Sequence, residues 1–589
     1  MKAKAFDTNL FKRILRYTKP YRMRLYGVII FAVALSLFAA LRPLFLQETV
    51  DTYIKPKESE GVLFYVIIMG IALILEVLSQ FYFVLWANWL GQDVVKDIRT
   101  LLFKHLLRFR MKYFDNSPVG LLVTRTVSDI EQIARIFSQG LFMIFSDILK
   151  MLFCLLVMFY MNWQLSVIVV IAMPILVYIT RIFQRKMQVA FEEVRTQVAN
   201  LNTFVQERLT GMKIVQLFNR EKIEYEKFKE INQKHNQAWI KNILYNSIFF
   251  PIADIISSLT LGFVIIYGGF QIINGNPFST VGEMTAYTMF IGMLFNPLRQ
   301  IADKFNEMQM GMIAANRVFD IIDSHENVQQ SGTVVAQNFK GTIQFENVRF
   351  SYIKEEEVLK GINFTVNAGE TIAIVGATGA GKSTIINLLN RFYEIDSGAI
   401  YIDNQNINEF TLDSLRSQIA VVLQDVFLFS DTIFNNITLN DPSITRDTVL
   451  EAAKKIGVHQ FIMSLPNGYE FDVKERGVML SSGQRQLIAF LRAYVSNPSI
   501  LVLDEATSSI DTHSEELIQH ATAAITEGRT SIIIAHRLAT IVNADKIIVM
   551  DKGKIVEEGN HFELINKAEG YYKNLYDSQF SLDIETDFI

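Results

Sequence analysis

A glycine-rich stretch in the second half of the chain has the residue types and spacing that bind phosphate. It reads Gly376-Ala-Thr-Gly-Ala-Gly-Lys-Ser-Thr384 and lies between the apolar runs Ile372–Val375 and Ile385–Phe392. Glycines let the backbone wrap around a phosphate, amides at a helix N-terminus point at its negative charge, and Lys382 adds a positive charge. The hydroxyl of Ser383 stands where Mg²⁺ would bridge two phosphates of a nucleotide. A chance glycine-rich loop is the alternative, and the strand–loop–helix context disfavours it.

Two further apolar runs end in side chains that are suited to the same chemistry. Ile500–Leu503 is followed by Asp504 and Glu505, and Ser531–Ala535 is followed by His536. Buried parallel strands deliver such side chains to one edge of a sheet, beside the phosphate loop. Asp504 suits the Mg²⁺ shell, Glu505 can polarise a water for attack on the γ-phosphate, and His536 can hydrogen-bond that phosphate. By itself the histidine would be interpreted as structural.

The elements that must position these residues form an α/β domain. Ile343–Phe350 alternates like a strand, and later short Ile/Val/Leu runs alternate with helical stretches. The polar residues 324–340 predict a linker before this domain, which we place at residues 341–580 with a tail at 581–589.

The composition shows that the rest of the chain is different. Of 589 residues, 50 % are hydrophobic and 20 % are charged, and the mean hydropathy is +0.23. The apolar runs stop near Leu298, so these values average two unlike halves. Disorder, a small secreted scaffold and a purely soluble enzyme are excluded. The net charge of −4 gives no case for nucleic acid as a partner, and the single cysteine excludes an internal disulfide or a cysteine-based metal site.

Six apolar segments of the first half approach the ~20 residues that a helix needs to cross a bilayer. They are Tyr26–Phe45, Leu63–Trp86, Leu141–Tyr160, Trp163–Ile182, Ile248–Ile273 and Met284–Leu298. Only Met161 and Asn162 separate the third from the fourth, which predicts a tight hairpin. A basic amphipathic stretch, Leu10–Arg24, precedes the first and predicts a helix lying in the membrane interface. A signal peptide is the alternative, but the apolar run continues too far beyond its A-x-A pattern.

The distribution of lysine and arginine sets the orientation. The segments between spans two and three and between spans four and five are rich in both, whereas the opposite side carries little positive charge. We therefore expect both segments, both termini and the α/β domain in the cytoplasm, and residues 1–323 as the membrane domain. Both segments have helical periodicity, so the spans should continue into the cytoplasm and turn near Asp115–Gly120 and Gly211. Two globular insertions are the alternative.

Two carboxylates within the spans leave the nature of a substrate open. Glu76 and Asp254 either bind a cationic drug, or form a helix–helix hydrogen bond or lie on the cytoplasmic extensions. Methionine and phenylalanine are frequent in span six, which suits either an adaptable apolar pocket or ordinary packing. Hydrophobic drugs, lipids or lipid-linked glycans, and peptides are all possible substrates.

The ordered motifs resemble those of ATP-binding cassette (ABC) exporters, in the type IV half-transporter form that exports drugs and lipids. The resemblance matches Tyr352 to the aromatic residue that stacks on adenine and Gln424 to the residue that senses the γ-phosphate and Mg²⁺. It matches Asp504 and Glu505 to the Walker B pair. It implies nucleotide contacts by the Walker A loop, whose residues of interest are Gly376, Gly379, Gly381, Lys382, Ser383 and Thr384.

Further motifs resemble the parts of the family that face a second subunit. Leu480–Gln484 matches the signature motif, in which Ser481, Gly483 and Gln484 would contact the partner's nucleotide, and Asp511 matches the D-loop aspartate. Val473–Gly477 resembles the exporter-specific loop. The signature departs from the usual pattern at Ser482, where glycine is common, without removing a functional group.

The resemblance implies a membrane bundle of six transmembrane helices with long cytoplasmic extensions, joined to an α/β P-loop ATPase domain. It also implies ATP and Mg²⁺ as ligands and a second half-transporter subunit as partner, with a homodimer favoured because every motif is intact. The expected activity is ATP-driven export or flipping of a hydrophobic or amphipathic substrate in the bacterial inner membrane, in contact with membrane lipid. An ATP-gated channel or regulator is the alternative, although an intact Glu505, Gln424 and His536 favour turnover.

Overall fold

The computed structural model describes residues 7–55, 59–274, 280–325, 331–504, 512–535 and 537–579. It divides into two compact units. The first comprises Met1–Leu107 and Ser117–His325, and the second comprises Arg108–Asn116 and Glu326–Ile589. A short piece of the first half of the sequence therefore belongs with the second unit.

The described residues of the first half of the chain form helices joined by short non-helical connections. Its α-helices are α1 (Thr8–Arg16), α2 (Arg22–Glu48), α3 (Ser59–Leu106), α4 (Met111–Asp115), α5 (Val119–Thr124), α6 (Ile130–Arg135), α7 (Phe142–Met161), α8 (Trp163–Thr210), α9 (Met212–Leu217), α10 (Glu221–Ile273) and α11 (Val281–Ile322). Three π-helical segments, Thr49–Ile54, Arg125–Asp129 and Ile136–Leu141, continue α2 and join α5 to α7. The four longest helices have 42 to 53 residues, so the predicted extension of the spans beyond a bilayer is confirmed.

Among the described residues, five helical segments are long and apolar enough to cross a membrane. They are Lys19–Ile54, Gly61–Leu106, Val119–Met161, Trp163–Thr210 and Glu221–Ile273. The sixth predicted span, Met284–Leu298, lies inside α11, which is not among the five. Glu283 at its start and Arg299, Asp303 and Lys304 beyond it lower the apolar character of that helix.

The tight hairpin between the third and fourth spans is confirmed. Helix α7 ends at Met161, and Asn162 is extended with φ −152° and ψ 106°. Its Oδ1 accepts hydrogen bonds from the amides of Gln164 at 3.1 Å and Leu165 at 3.2 Å, which caps α8. The predicted turn near Gly211 is also present, between α8 and the short α9.

The predicted interfacial helix Leu10–Arg24 is wrong in its extent. Helix α1 ends at Arg16, a short 3₁₀ turn covers Lys19–Tyr21, and α2 begins at Arg22. Pro20 has no amide hydrogen to continue the helical ladder, which explains the break.

Helices α7, α8, α10 and α11 share a buried core in the first unit, and Tyr287 of α11 lies in it. The ring of Tyr287 is fully buried, and its hydroxyl lies 2.9 Å from the carbonyl oxygen of Met158, 2.8 Å from that of Asn162 and 2.8 Å from Ser166 Oγ. A buried hydroxyl needs such partners, so this tyrosine joins the hairpin between α7 and α8 to α11.

The second unit contains two sheets and smaller helices. Its strands are β1 (Ile343–Ile353), β2 (Glu356–Val366), β3 (Thr371–Gly376), β4 (Ser397–Ile402), β5 (Gln405–Asn406), β6 (Ile419–Val422), β7 (Ile500–Asp504), β8 (Thr530–Ile534), β9 (Lys546–Asp551) and β10 (Lys554–Gly559). Its helices beyond α4 are α12 (Lys382–Leu389), α13 (Leu412–Ser417), α14 (Ile433–Thr438), α15 (Arg446–Ile456), α16 (His459–Ser464), α17 (Ser482–Val495), α18 (Thr512–Thr526), α19 (Leu538–Val542), α20 (His561–Ile565) and α21 (Tyr571–Gln579).

The larger sheet positions the predicted chemistry. Its strand order is β10-β9-β3-β8-β7-β6, and all neighbours are parallel except the β9–β10 hairpin. The predicted buried strands correspond to β3, β7 and β8, so the α/β expectation is confirmed. The smaller sheet, β2-β1-β4-β5, is antiparallel and contains the predicted strand Ile343–Phe350.

Helix α4 belongs to this second unit although it precedes the third span in sequence. Its last residue, Asp115, accepts a hydrogen bond from the hydroxyl of Tyr393. The turn predicted at Asp115–Gly120 is present, since α4 ends at Asp115 and α5 begins at Val119.

Candidate nucleotide-binding site

The glycine-rich loop connects β3 to α12, and its backbone requires glycine at two positions. Gly376 ends β3 with φ +153°, and a Cβ there would lie 2.2 Å from the carbonyl oxygen of Met550. Gly381 precedes α12 with φ +99°, in the left-handed region that other residues rarely adopt. The strand–loop–helix context predicted for phosphate binding is therefore confirmed, although the helix covers Lys382–Leu389 rather than beginning at Ile385.

Lys382 is held inside this loop. Its side chain is folded back so that Nζ donates to the carbonyl oxygens of Gly376 at 2.5 Å and Ala377 at 3.1 Å. The residue is only 7 % exposed, and this burial lowers the pKa of Lys382 from its ordinary value, while the nearby Asp504 carboxylate opposes the shift. An ammonium group has three N–H donors, so one more is available to an anion in the loop.

The structure brings together the two side chains predicted to approach Mg²⁺ from the loop and from β7. Ser383 Oγ donates to Asp504 Oδ2 at 3.3 Å. Gln424, the third predicted ligand, is exposed in the loop that follows β6. Because Val422 of β6 pairs in parallel with Leu503 of β7, this loop leaves the sheet at the same edge as Asp504. Oxygen ligands of this kind suit Mg²⁺, which also takes oxygens from phosphates.

Tyr352 lies against the first turns of α12. Its hydroxyl is 3.4 Å from Thr384 Oγ1 and accepts a hydrogen bond from Asn387 Nδ2 at 3.1 Å. The rings of Phe350 and Tyr393 meet its ring edge-on, with centroids 4.8 Å and 5.0 Å away. This half-buried aromatic ring is thus fixed beside the phosphate loop.

The predicted signature residues form the start of α17. Ser481 Oγ accepts from the amide of Gln484 at 3.2 Å, and the amide of Ser481 donates to Gln484 Oε1 at 3.0 Å. This reciprocal arrangement is a capping box, which fixes the first turn of the helix. Ser481 and Ser482 are exposed and Gly483 is buried, so the N-terminus of α17 presents hydroxyl groups to solvent.

Three predicted residues, Glu505, Asp511 and His536, lie outside the described residues. The described elements nevertheless end beside them, since β7 ends at Asp504 and β8 ends at Ile534.

Sequence reasoning missed a second cluster, a cavity of about 460 Å³ in the first unit. Its lining residues come from α2, α7 and α11 and are Arg42, Asp147, Lys150, Thr288, Met289, Gly292, Met293, Asn296, Pro297 and Gln300. The signal was present in the sequence, because Arg42 and Lys150 lie inside predicted spans and charged residues there are usually functional.

The intramembrane carboxylates singled out from the sequence both have cationic partners. Glu76 Oε2 lies 3.4 Å from Arg42 NH1, and Asp254 Oδ1 lies 2.5 Å from Arg299 NH1. Each carboxylate is therefore neutralised within the chain, which favours the helix–helix alternative over a cationic drug site.

Comparison with known proteins agrees with this geometry. Residues 25–298 match the family model described as the ABC transporter transmembrane region, and residues 359–508 match the model described as ABC transporter. A putative multidrug export ATP-binding/permease protein of Staphylococcus aureus is 36 % identical, over 97 % of this chain and 100 % of the relative. The chain belongs to the ABC transporter family.

Other members of the family are similar over the same length. An ATP-dependent lipid A-core flippase of Idiomarina loihiensis is 36 % identical over 97 % of this chain and 98 % of its own. A solved structure of a bacterial Atm1-family ABC exporter with ATP bound has a TM-score of 0.76 and 29 % identity, covering 95 % of this chain and 98 % of that one. This ABC transporter is thus a membrane-embedded, ATP-binding exporter whose hydrolysis of ATP is coupled to transport.

Proposed function

We propose that two copies of this chain form an exporter that moves an amphipathic substrate across the bacterial inner membrane, with ATP hydrolysed at two composite sites. The observation that carries the proposal is the phosphate loop, in which Lys382 is buried with a donor to spare and Ser383 lies 3.3 Å from Asp504. The similarity to relatives that match over nearly the whole chain, a lipid A-core flippase and putative multidrug exporters, supports an amphipathic substrate.

Each site residue has a proposed role at the nucleotide. Ser383, Asp504 and Gln424 would hold Mg²⁺, which neutralises charge on the phosphates when it is bound. Lys382 binds the β- and γ-phosphates and Tyr352 stacks on adenine. The remaining loop contacts come from backbone amides and hydroxyls of Gly376, Gly379, Gly381 and Thr384.

Hydrolysis is assigned to residues beyond the ends of β7 and β8. Glu505 accepts a proton from the attacking water, and His536 hydrogen-bonds the γ-phosphate. Gln424 senses whether that phosphate is present. Removal of the γ-phosphate then separates the two ATPase domains and resets the transporter.

The division of the chain follows the same proposal. Residues 1–323 form the membrane domain, with α11 as its sixth span, 324–340 the linker, 341–580 the ATPase domain and 581–589 a tail. The excess of lysine and arginine in the segments between spans two and three and between spans four and five supports a cytoplasmic position for both termini and the ATPase domain.

The second subunit is proposed to be another copy of this chain. One chain supplies one Walker loop and one signature, and a composite site needs the signature from a partner. The exposed N-terminus of α17, with Ser481, Gly483 and Gln484, is the surface that would face the partner's nucleotide, near its Asp511. Because Lys382, Glu505 and His536 are all present, two copies would build two complete sites.

The test of turnover uses the purified chain in lipid nanodiscs. We expect Mg²⁺-dependent ATP hydrolysis that responds to a panel of lipids and drugs. ATP binding without hydrolysis in every lipid would instead support an ATP-gated channel or regulator.

The test of the homodimer mixes two inactive variants, Lys382→Ala and Ser481→Arg. In mixed dimers, one site collects both substitutions and the other has neither, so part of the ATPase activity should return. A chain that stays monomeric and inert by itself, and hydrolyses ATP only with a different subunit, would contradict the homodimer.

A further inference from the structure

The cavity of the first unit contains more positive than negative charge. Two of its lining residues form ion pairs with residues outside the lining, Arg42 with Glu76 at 3.4 Å and Asp147 with Lys304. Lys150 also lines the cavity, and among the described residues its ammonium group forms no ion pair, since the carboxylate of the lining, Asp147, is paired with Lys304. The charged lining residues are thus two basic and one acidic, and of these Lys150 carries the uncompensated charge.

A second observation points to an anionic ligand. The Nε–H of Arg42 is buried and has no hydrogen-bond acceptor among the described residues. A buried donor without a partner is unfavourable, so an acceptor within reach of this nitrogen would be stabilised in the cavity. Arginine and lysine together suit oxyanions such as phosphate.

The α11 wall of the cavity combines polar and apolar groups. Thr288, Asn296 and Gln300 offer neutral hydrogen-bonding groups, while Met289 and Met293 offer flexible apolar side chains. A ligand that carries both a charged headgroup and an alkyl tail can satisfy both kinds of lining.

We infer that this cavity binds the anionic headgroup of an amphipathic substrate, with Lys150 as its main countercharge and Arg42 as a second donor. The tail would lie along the methionines of α11. This inference rests on the proposed export of an amphipathic substrate, and it assigns a charge to that substrate. A cationic drug should bind poorly in this cavity, because it would be repelled by the uncompensated ammonium group of Lys150.

The experiment uses the purified transporter in phosphatidylcholine nanodiscs and three amphiphiles with the same tail, below their micelle-forming concentrations. These are dodecyl phosphate, dodecyl maltoside and dodecyltrimethylammonium. ATP hydrolysis is measured for each variant relative to its own basal rate. We expect dodecyl phosphate to give half-maximal stimulation at a concentration about tenfold below that of the cation, as one ion pair of about 1.4 kcal/mol predicts. Ethyl phosphate, which has no long tail, should not stimulate.

The variants test the assigned residue. Lys150→Gln should raise the half-maximal concentration of dodecyl phosphate about tenfold, and Lys150→Glu should reverse the preference towards the cation. The matched control Lys186→Gln removes an exposed lysine of α8 that does not line the cavity, and it should leave the preference unchanged. Equal stimulation by the anion and the cation, or an unchanged preference in Lys150→Glu, would overturn the inference.

A readout that needs no hydrolysis separates this inference from the proposed function. Binding of phosphorus-labelled dodecyl phosphate to the same nanodiscs should be saturable and weakened by Lys150→Glu. Such binding without any ATP hydrolysis would contradict the exporter and leave the anion site standing. Hydrolysis without saturable binding would contradict the anion site. Stimulation by ethyl phosphate would show a site for free phosphate rather than for an amphiphile.

Discussion

Two lysines in different halves of this transporter, Lys382 and Lys150, have opposite kinds of surroundings. Lys382 of the phosphate loop is held by carbonyl oxygens of Gly376 and Ala377, which are five and six residues away in sequence. Lys150 of the cavity lies among side chains from α2, α7 and α11, of which those on α11 are more than 130 residues away. Neutral carbonyls keep the charge of the first lysine available for phosphate. The charge of Lys150 is available because the acidic neighbour in the cavity, Asp147, is already paired with Lys304.

A positive charge can therefore be positioned for binding either by residues close to it in sequence or by side chains of helices that pack around it. In the loop, a few consecutive residues set the geometry, so a single substitution there should abolish one function. In the cavity, the charge balance depends on several ion pairs. The effect of a single substitution should therefore be smaller and should depend on whether the partner residue is also changed.

The largest effect is expected from Glu505→Gln in the ATPase half. Removing the proposed base should lower the rate of ATP hydrolysis by about 10²–10⁴-fold, while ATP binding is retained. Steady-state hydrolysis and binding of a fluorescent ATP analogue would be measured on the same sample. Glu451→Gln, an exposed glutamate of α15, serves as the control. Unchanged turnover in Glu505→Gln would show that another group is the base.

The next effect is expected from Lys382→Ala. Loss of a charged hydrogen bond to phosphate is worth about 1.5–3 kcal/mol, so the affinity for ATP should fall by about ten- to hundredfold. Equilibrium binding of a fluorescent ATP analogue measures it, and Lys454→Ala, an exposed lysine of α15, is the control. Tight binding of ATP by Lys382→Ala would contradict the proposed role of this lysine in binding phosphate.

A backbone test of the loop follows from its glycines. In Gly376→Ala, the new Cβ would lie 2.2 Å from a backbone oxygen, which should destabilise the ATPase domain by about 3 kcal/mol. Gly369→Ala also needs a positive φ, +80°, but has no atom within 4 Å of its Cβ, so it should cost only about 1 kcal/mol. Thermal unfolding of the two variants checks the difference, and equal midpoints would show that the close approach does not matter.

The packing side of the comparison is tested at Asp147 and Lys304. Both side chains are 19 % exposed, so Asp147→Asn leaves a largely buried ammonium without its partner and should destabilise the membrane half by about 2 kcal/mol. Adding Lys304→Met should recover most of the loss, which thermal unfolding in nanodiscs would show. Additive effects of the two substitutions would mean that the pair is not coupled.

The smallest effect is expected from the ion pair between Arg13 of α1 and Asp323, which follows α11. The guanidinium donates to both carboxylate oxygens, at 2.5 Å and 2.7 Å, and holds the pKa of Asp323 below its ordinary value. The stabilisation is therefore present at neutral pH and is lost as the pH falls through the lowered pKa. Because the Asp323 side chain is 54 % exposed, Asp323→Asn should cost less than about 1 kcal/mol. Thermal midpoints of the two proteins should converge on acidification, and a constant gap would contradict the assignment.

The sequence predicts the ATPase site better than the membrane cavity for a physical reason. The loop, the ends of β3 and β7 and the capping box at Ser481 depend on neighbours a few residues away, and their patterns are visible in the sequence. The pairing of Arg42 with Glu76, in contrast, depends on how two long helices pack side by side. Apolar periodicity identifies such helices but does not give their rotation or register, so the sequence could not show which charges are compensated.

Two predicted helix boundaries were wrong because apolar periodicity also does not show where a helix begins or ends. The predicted amphipathic helix continued to Arg24 because its apolar spacing is helical on both sides of Pro20. The sixth predicted span, Met284–Leu298, covers only a minor part of the 42-residue α11, whose other residues are less apolar.

The placement of residues 108–116 in the second unit makes that unit discontinuous in sequence. A fragment that begins after the proposed linker therefore lacks part of its own compact unit, including the carboxylate of Asp115 that accepts a hydrogen bond from Tyr393. Expression of the ATPase domain alone should leave this surface uncovered, and a peptide with the sequence of residues 108–116, added in trans, is the natural reagent to restore it. A single proteolytic cut in the proposed linker would leave residues 108–116 covalently attached to the membrane fragment, although they belong to the second compact unit, so the two fragments should co-purify until they are denatured.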